Sequence, residues 1–225
     1  MEQVLIYEDT KKLPEIFHHE DLSAMLEQID NSPDYLKNSW GEWMRARDKA
    51  LLMTIYALAL RPNEACSLRF DNFNLNEGTI KIDGRNNKTK KDRFLPISKE
   101  VLPYYENYFK FDRARFWRGS PYLFPSLERE KISAGRWKHI FREKILKPLG
   151  IWEAPVNSTI PKYRSYTLRH TRATELLNKY KDIFLVANVL GHSKLNSSKV
   201  YVHKSPQYMA YMRKAINSMD GGIEC

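Results

Sequence analysis

The chain has 225 residues, with 37 Lys plus Arg against 27 Asp plus Glu and a formal net charge of +10. That length supports a real hydrophobic core, and the cation surplus favours a polyanionic partner, because each neutralised phosphate releases counterions. The apolar stretch Leu51 to Leu60 is too short to span a bilayer, the N-terminus carries no basic-then-apolar signal pattern, and Cys66 and Cys225 form neither a disulfide framework nor a metal-ligand spacing.

Residues 1–18 are polar, are broken by Pro14, and read as a lead-in or linker. Leu22, Met25, Leu26 and Ile29 recur at helical spacing, which predicts an amphipathic helix from His19 to about Asp30, ended by Asn31-Ser32-Pro33-Asp34. Trp43 to Leu60 is apolar around most of its circumference towards its end, so it should be the central buried helix. Cys66 reads as a small core residue and Cys225 as a free tail thiol, in a reducing, intracellular setting. Pro62 suits a first helical turn, which leaves Arg61 at a junction where a buried scaffold can hold its head towards a groove.

Phe73 and Leu75, then Thr79 to Ile82, a turn from Gly84 to Lys91, and Phe94 to Ile97 read as three short antiparallel strands with a basic hairpin tip. Helices are predicted at about 99–109, 133–147, 167–180 and 183–190, and a last one at 205–219 with Tyr208, Met212, Ala215 and Met219 along one stripe. The fold class is mainly α with a small three-stranded antiparallel sheet (α+β). Residues 19–204 form one domain and 205–225 a C-terminal helix and tail.

Chemistry concentrates in Y166-T-L-R-H-T-R-A-T-E-L-L and L190-G-H-S-K-L-N-S-S-K-V-Y201. These segments supply Arg169, His192 after a glycine, and Tyr201 nine residues later, while L60-R-P-N-E64 supplies Arg61 and Glu64. Guanidinium forks grip phosphate oxygens in bidentate fashion and stay charged, so Arg61 and Arg169 suit a phosphodiester that gathers negative charge under attack. A tyrosine phenol suits the attack itself. Glu64, one turn past Arg61, suits orienting a site group. Arg136, Lys138 and Arg142, interleaved with Trp137, Ile140 and Phe141, and the hairpin cations Lys90, Lys91 and Arg93 are candidate contacts to DNA.

The order and spacing of L168-R-H-T-R-A-T-E-L-L, L190-G-H-S and Tyr201, with L60-R-P-N-E64 and N87-K-T-K-K-D-R-F-L-P-I97 upstream, resemble the catalytic domain of tyrosine recombinases, the phage-integrase family. The resemblance runs from about Leu13 to Tyr208. It implies that family's catalytic fold and the cutting and rejoining of DNA at specific sites through a 3′-phosphotyrosyl link, with Tyr201 as nucleophile. It also implies that Lys88, counted back from D92-R-F-L-P-I97, is the general acid for the departing 5′ oxygen, with Lys90 and Lys91 as neighbouring alternatives. His192 would bond the scissile phosphate. Bond energy is conserved in the tyrosyl link, so no cofactor and no metal are implied.

Duplex DNA is the implied partner, with a tetramer on recombining sites, a monomer or weak oligomer off DNA, and a cytoplasmic, nucleoid-associated location away from membranes. The C-terminal helix would dock on a neighbouring protomer. Two features depart from the common family pattern. Tyr166 stands where most members have His, a Y-x-x-R version similar to some archaeal virus and plasmid integrases, and its hydroxyl could reach the same phosphate as Arg169. The helical domain that usually precedes the catalytic one is missing, as expected of a catalytic fragment or of a minimal enzyme. Two rival readings share these residues: relaxation of DNA in the manner of a type IB topoisomerase, and a DNA-binding module with an inactive site.

Overall fold

The structure, a computed structural model, describes residues 15–74, 77–86, 92–128, 130–152 and 162–192. Lys88, Lys90, Lys91, Tyr201, Cys225 and the expected helix at 205–219 lie outside the described residues.

Helix α1 (His19–Asn31) turns Leu22, Met25 and Ile29 inward, as its spacing predicts, and starts with Asp21 accepting from the His18 amide. Helix α2 (Ser39–Ala57) is the core helix. Asn38 caps it through bonds to the amides of Trp40 and Gly41, and its second half is buried all round, from Ala50 to Ala57. A short α3 (Pro62–Cys66) follows with Pro at its first position, and Cys66 is 1% exposed in the core.

Strands β1 (Phe73–Asn74), β2 (Thr79–Ile82) and β3 (Arg93–Pro96) form the three-stranded antiparallel sheet, with Phe73 facing Ile80 and Ile82 facing Arg93. Side chains alternate on β3: Leu95 is buried and Phe94 is 67% exposed. Helices α4 (Leu102–Phe109) and α5 (Arg113–Trp117) then pack aromatic rings around Trp43 of α2; Phe116, Trp117 and Tyr108 all lie within 6.2 Å of it, centroid to centroid. The sequence reading has no counterpart of α5, which is only five residues long and capped by Asp112.

Helix α6 (Ala134–Ile140) runs into a π-helical segment, Phe141–Leu146, instead of continuing as one α-helix to 147. At 3.6 residues per turn Leu146 would lie opposite Trp137. The wider i→i+5 winding brings it round, so that Trp137, Ile140, Phe141, Ile145 and Leu146 are all buried. Helix α7 (Ser165–Tyr180) packs on α2, and α8 (Ile183–Leu190) folds back against α7. Ala173, Leu177, Val186 and Leu190 enclose Ala59 in a small second core. Phe17, in the expected lead-in, is 3% exposed; its ring stacks on Tyr163 and its amide donates to Thr171 Oγ1, so core packing begins before residue 19.

Candidate active site

Two helix ends and one buried arginine build the site. Helix α2 stops at Ala57, short of the sequence expectation of Leu60. The chain turns through Ala59 at φ 49°, while Leu60 N–H bonds Ile55 O and Ala59 N–H bonds Tyr56 O. This is a Schellman closure with alanine where glycine is usual. Helix α8 ends with the same pair of bonds, His192 to Ala187 and Gly191 to Asn188, with Gly191 at φ 63°. Helix C-termini leave carbonyls unpaired and carry negative partial charge. Arg169, from α7, meets both ends: Nη1 donates to Ala59 O at 2.9 Å and Nη2 to Leu190 O at 2.7 Å.

Glu64 lies at the centre of the cations. Its side chain is fully covered, Arg61 Nη1 and the Arg61 amide donate to it at 3.0 and 2.9 Å, and Arg169 Nη1 stands 3.6 Å away. The third guanidinium is that of Arg93, forked onto both carboxylate oxygens at 3.0 and 2.9 Å. Burial alone would raise the Glu64 pKa, but the Arg93 fork, the Arg61 amide and Arg169 together hold it below its ordinary value. Three positive charges against one negative leave a surplus of two on the site.

His192 follows the α8 end, with Nε2 at 3.3 Å from Arg169 Nη2. Burial, then Arg169, Arg61 and Arg93, depress its pKa to about 4, so the ring is neutral at pH 7. Burial also lowers Arg169 to about 10, still protonated at neutral pH. Arg169 has no exposed side-chain surface, whereas Arg61 is 18% exposed and His192 only partly buried. Arg61 and His192 therefore form the accessible face of the cluster, and Arg169 acts from beneath it. Tyr166 stands at the edge of the cluster: its ring meets the His170 ring edge-on at 4.7 Å, and the Arg169 guanidinium lies 5.8 Å from the ring centre.

The structure thus brings together Arg61, Glu64, Arg169 and His192, with Tyr166 alongside. Arg136 and Lys138 point to solvent from α6, which packs on α3, while Arg142 is paired with Glu143. Arg93 is turned inward, away from the surface role expected of it. The signal was present in the sequence: on a strand of period two, Arg93 shares a face with Leu95. Ala59 was missed because nothing in its identity announces a left-handed residue.

The helical layers, the small sheet and this arginine cluster define the fold of a recombinase catalytic domain. Among solved structures, the chain is similar to XerA recombinase (TM-score 0.67, 20% identity, 91% of this chain and 66% of that one). It is also similar to XerH site-specific recombinase bound to difH substrate (TM-score 0.64, 26% identity, 90% of this chain and 55% of that one). The family model "Phage integrase family" matches residues 15–208, and tyrosine recombinase XerD of Pseudomonas putida is 33% identical over 195 residues. The chain belongs to the phage integrase family. That match covers 86% of the chain but spans only 58% of the relative's length.

Proposed function

We infer that this chain carries the catalytic part of a site-specific recombinase that cuts and rejoins duplex DNA through a covalent tyrosyl intermediate. The observation that carries the reading is the cluster of Arg61, Arg93, Arg169 and His192 around Glu64, with its surplus of two positive charges, inside the fold of this family. The phosphorane formed by attack on a phosphodiester gathers negative charge on its non-bridging oxygens, and a preformed cationic site stabilises it without reorganising. The Tyr201 phenol oxygen attacks the phosphorus and releases its proton to water, a new P–O bond forms, and the bond to the 5′ oxygen breaks. Lys88 gives that leaving oxygen a proton, and the DNA end stays linked through its 3′ phosphate. Attack by a 5′ hydroxyl reverses these steps and rejoins the strand.

Neutral His192 serves as a hydrogen-bond donor to phosphate oxygen. Arg136 and Lys138 contact the DNA backbone, and strand exchange assembles four protomers on two sites, with the segment after residue 204 docking between protomers. The chain is tested with a pool of nicked duplexes of randomised sequence, from which covalent adducts are recovered on denaturing gels and sequenced. An adduct excludes an inactive binding module. Exchange between two recovered sites, with no relaxation of plasmids lacking them, separates a recombinase from a topoisomerase.

A further inference from the structure

Arg93 begins β3, the strand that follows the Lys88 segment, and its side chain is only 12% exposed. It makes two contacts of different kinds. The fork holds both oxygens of Glu64. The same guanidinium lies under the end of α8, where a Cβ on Gly191 would come within 2.9 Å of Arg93 Nη1. One side chain therefore touches the carboxylate between Arg61 and Arg169 and also the turn that delivers His192.

The donor inventory shows what the fork does. Three guanidiniums face Glu64, those of Arg61 at the start of α3, Arg93 from β3 and Arg169 from α7, and the neutral His192 ring stands against Arg169. Arg93 gives Glu64 two charge-assisted bonds, whereas Arg61 gives it one side-chain bond and its amide, and Arg169 stays beyond hydrogen-bond reach at 3.6 Å. The carboxylate's charge is thus answered chiefly by Arg93, which leaves the charges of Arg61 and Arg169 for another anion.

Resting on the recombinase reading above, we propose that Arg93 is a positioning residue for strand cleavage. It holds Glu64 ionised and in place, so that Arg61 and Arg169 act on the phosphodiester, and it fixes the Gly191–His192 turn. This role replaces a DNA-phosphate contact. Loss of the fork removes the strongest influence that lowers the Glu64 pKa and leaves only Arg61 and Arg169 against burial, so the site loses its carboxylate at a higher pH than in the parent.

The test compares Arg93→Gln and Arg93→Lys with the parent chain, after thermal unfolding has confirmed that each variant folds. Single-turnover cleavage is measured at saturating protein on a nicked duplex recovered as an adduct, together with its pH profile and the salt dependence of binding. Arg93→Gln should keep the parent's salt slope and cleave roughly ten- to hundredfold more slowly, with its acid limb moved to higher pH. Arg93→Lys restores the charge without the fork, and should recover part of the rate. If Arg93→Gln fails to fold, Arg93→Lys carries the test, by a slowed saturated rate at an unchanged salt slope. A salt slope reduced by about one with an unchanged saturated rate would place Arg93 on a phosphate and overturn the proposal. A parental rate and pH profile in Arg93→Gln would also overturn it. The salt slope needs no cleavage, so it judges Arg93 even where the parent makes no adduct and the recombinase reading itself fails.

Discussion

Arg169 and His192 meet through Nη2 and Nε2 at 3.3 Å, and their chemistry fixes the state of the ring. A guanidinium only donates, so the imidazole nitrogen facing it accepts, and the ring proton sits on Nδ1. That places a neutral donor, not a cation, in the accessible face of the site. His170, one residue past Arg169, is likewise pushed down to about 4, by burial and then by Arg169 and Arg164.

Both histidines thus titrate near pH 4 in the folded chain, against an ordinary value of 6.5. Between those values the unfolded chain binds more protons, so the stability these two groups contribute is lost as the pH falls from 6.5 towards 4. Urea unfolding at a series of pH values should show this loss, and His170→Asn should reduce its slope. A slope unchanged by that substitution would mean that His170 is not held neutral.

Glu64 compensates three buried or half-buried guanidiniums, so Glu64→Ala leaves them mutually repelling. The expected cost is about 3–5 kcal/mol of folding stability. The Lys49–Asp30 pair, at 2.6 Å but with its carboxylate 53% exposed, is the contrasting case. Asp30→Ala should cost no more than about 1 kcal/mol. Chemical denaturation of the two variants checks the ranking, and equal losses would contradict the assignment of Glu64 as the hub.

Most of this architecture was legible in the sequence, for identifiable reasons. Helix α8 announces itself with Asp182, whose side chain caps it, and with Gly191 at its left-handed end. Pro62 and Glu64 mark α3 in the same way, and period-two alternation marks the sheet. Three things were hidden. The α2 end needs a left-handed Ala59, which no local preference predicts; its carbonyl is held by Arg169, 110 residues away. The winding change after Ile140 is decided by which side chains must be buried, not by propensity. Arg93 shares a strand face with the buried Leu95, which marks its direction, but the partner that holds it there, Glu64, lies across the fold and is not legible from the hairpin.

The cations of α6 and of the π-helical segment after it separate by their partners. Arg136 and Lys138 are exposed, and their charges should each add about one to the salt slope of DNA binding. Arg142 is already paired with Glu143, and its guanidinium lies 5.7 Å from the Trp152 ring centre. Arg136→Ala and Lys138→Ala should therefore weaken binding more than Arg142→Ala in salt titrations by fluorescence anisotropy. Equal effects from all three would show that the Glu143 pair opens on DNA.

Tyr166→Phe keeps the ring contacts with His170 and Arg169, so the unfolding midpoint should match the parent's. A hydroxyl bonded to a charged phosphate is worth about 1–3 kcal/mol, so saturated cleavage should slow by roughly ten- to hundredfold. A parental cleavage rate would assign Tyr166 to packing alone.

The central claim is covalent chemistry at a tyrosine, and the direct measurement is a denaturing gel of the parent chain and Tyr201→Phe after incubation with nicked duplex DNA. The parent should carry a DNA strand through its 3′ phosphate, with the linkage mapped to Tyr201 by mass spectrometry of the tryptic peptide. Tyr201→Phe should bind the same DNA with the same salt dependence and carry none. An adduct that persists in Tyr201→Phe, or a parent that binds DNA and never forms one, would contradict the account.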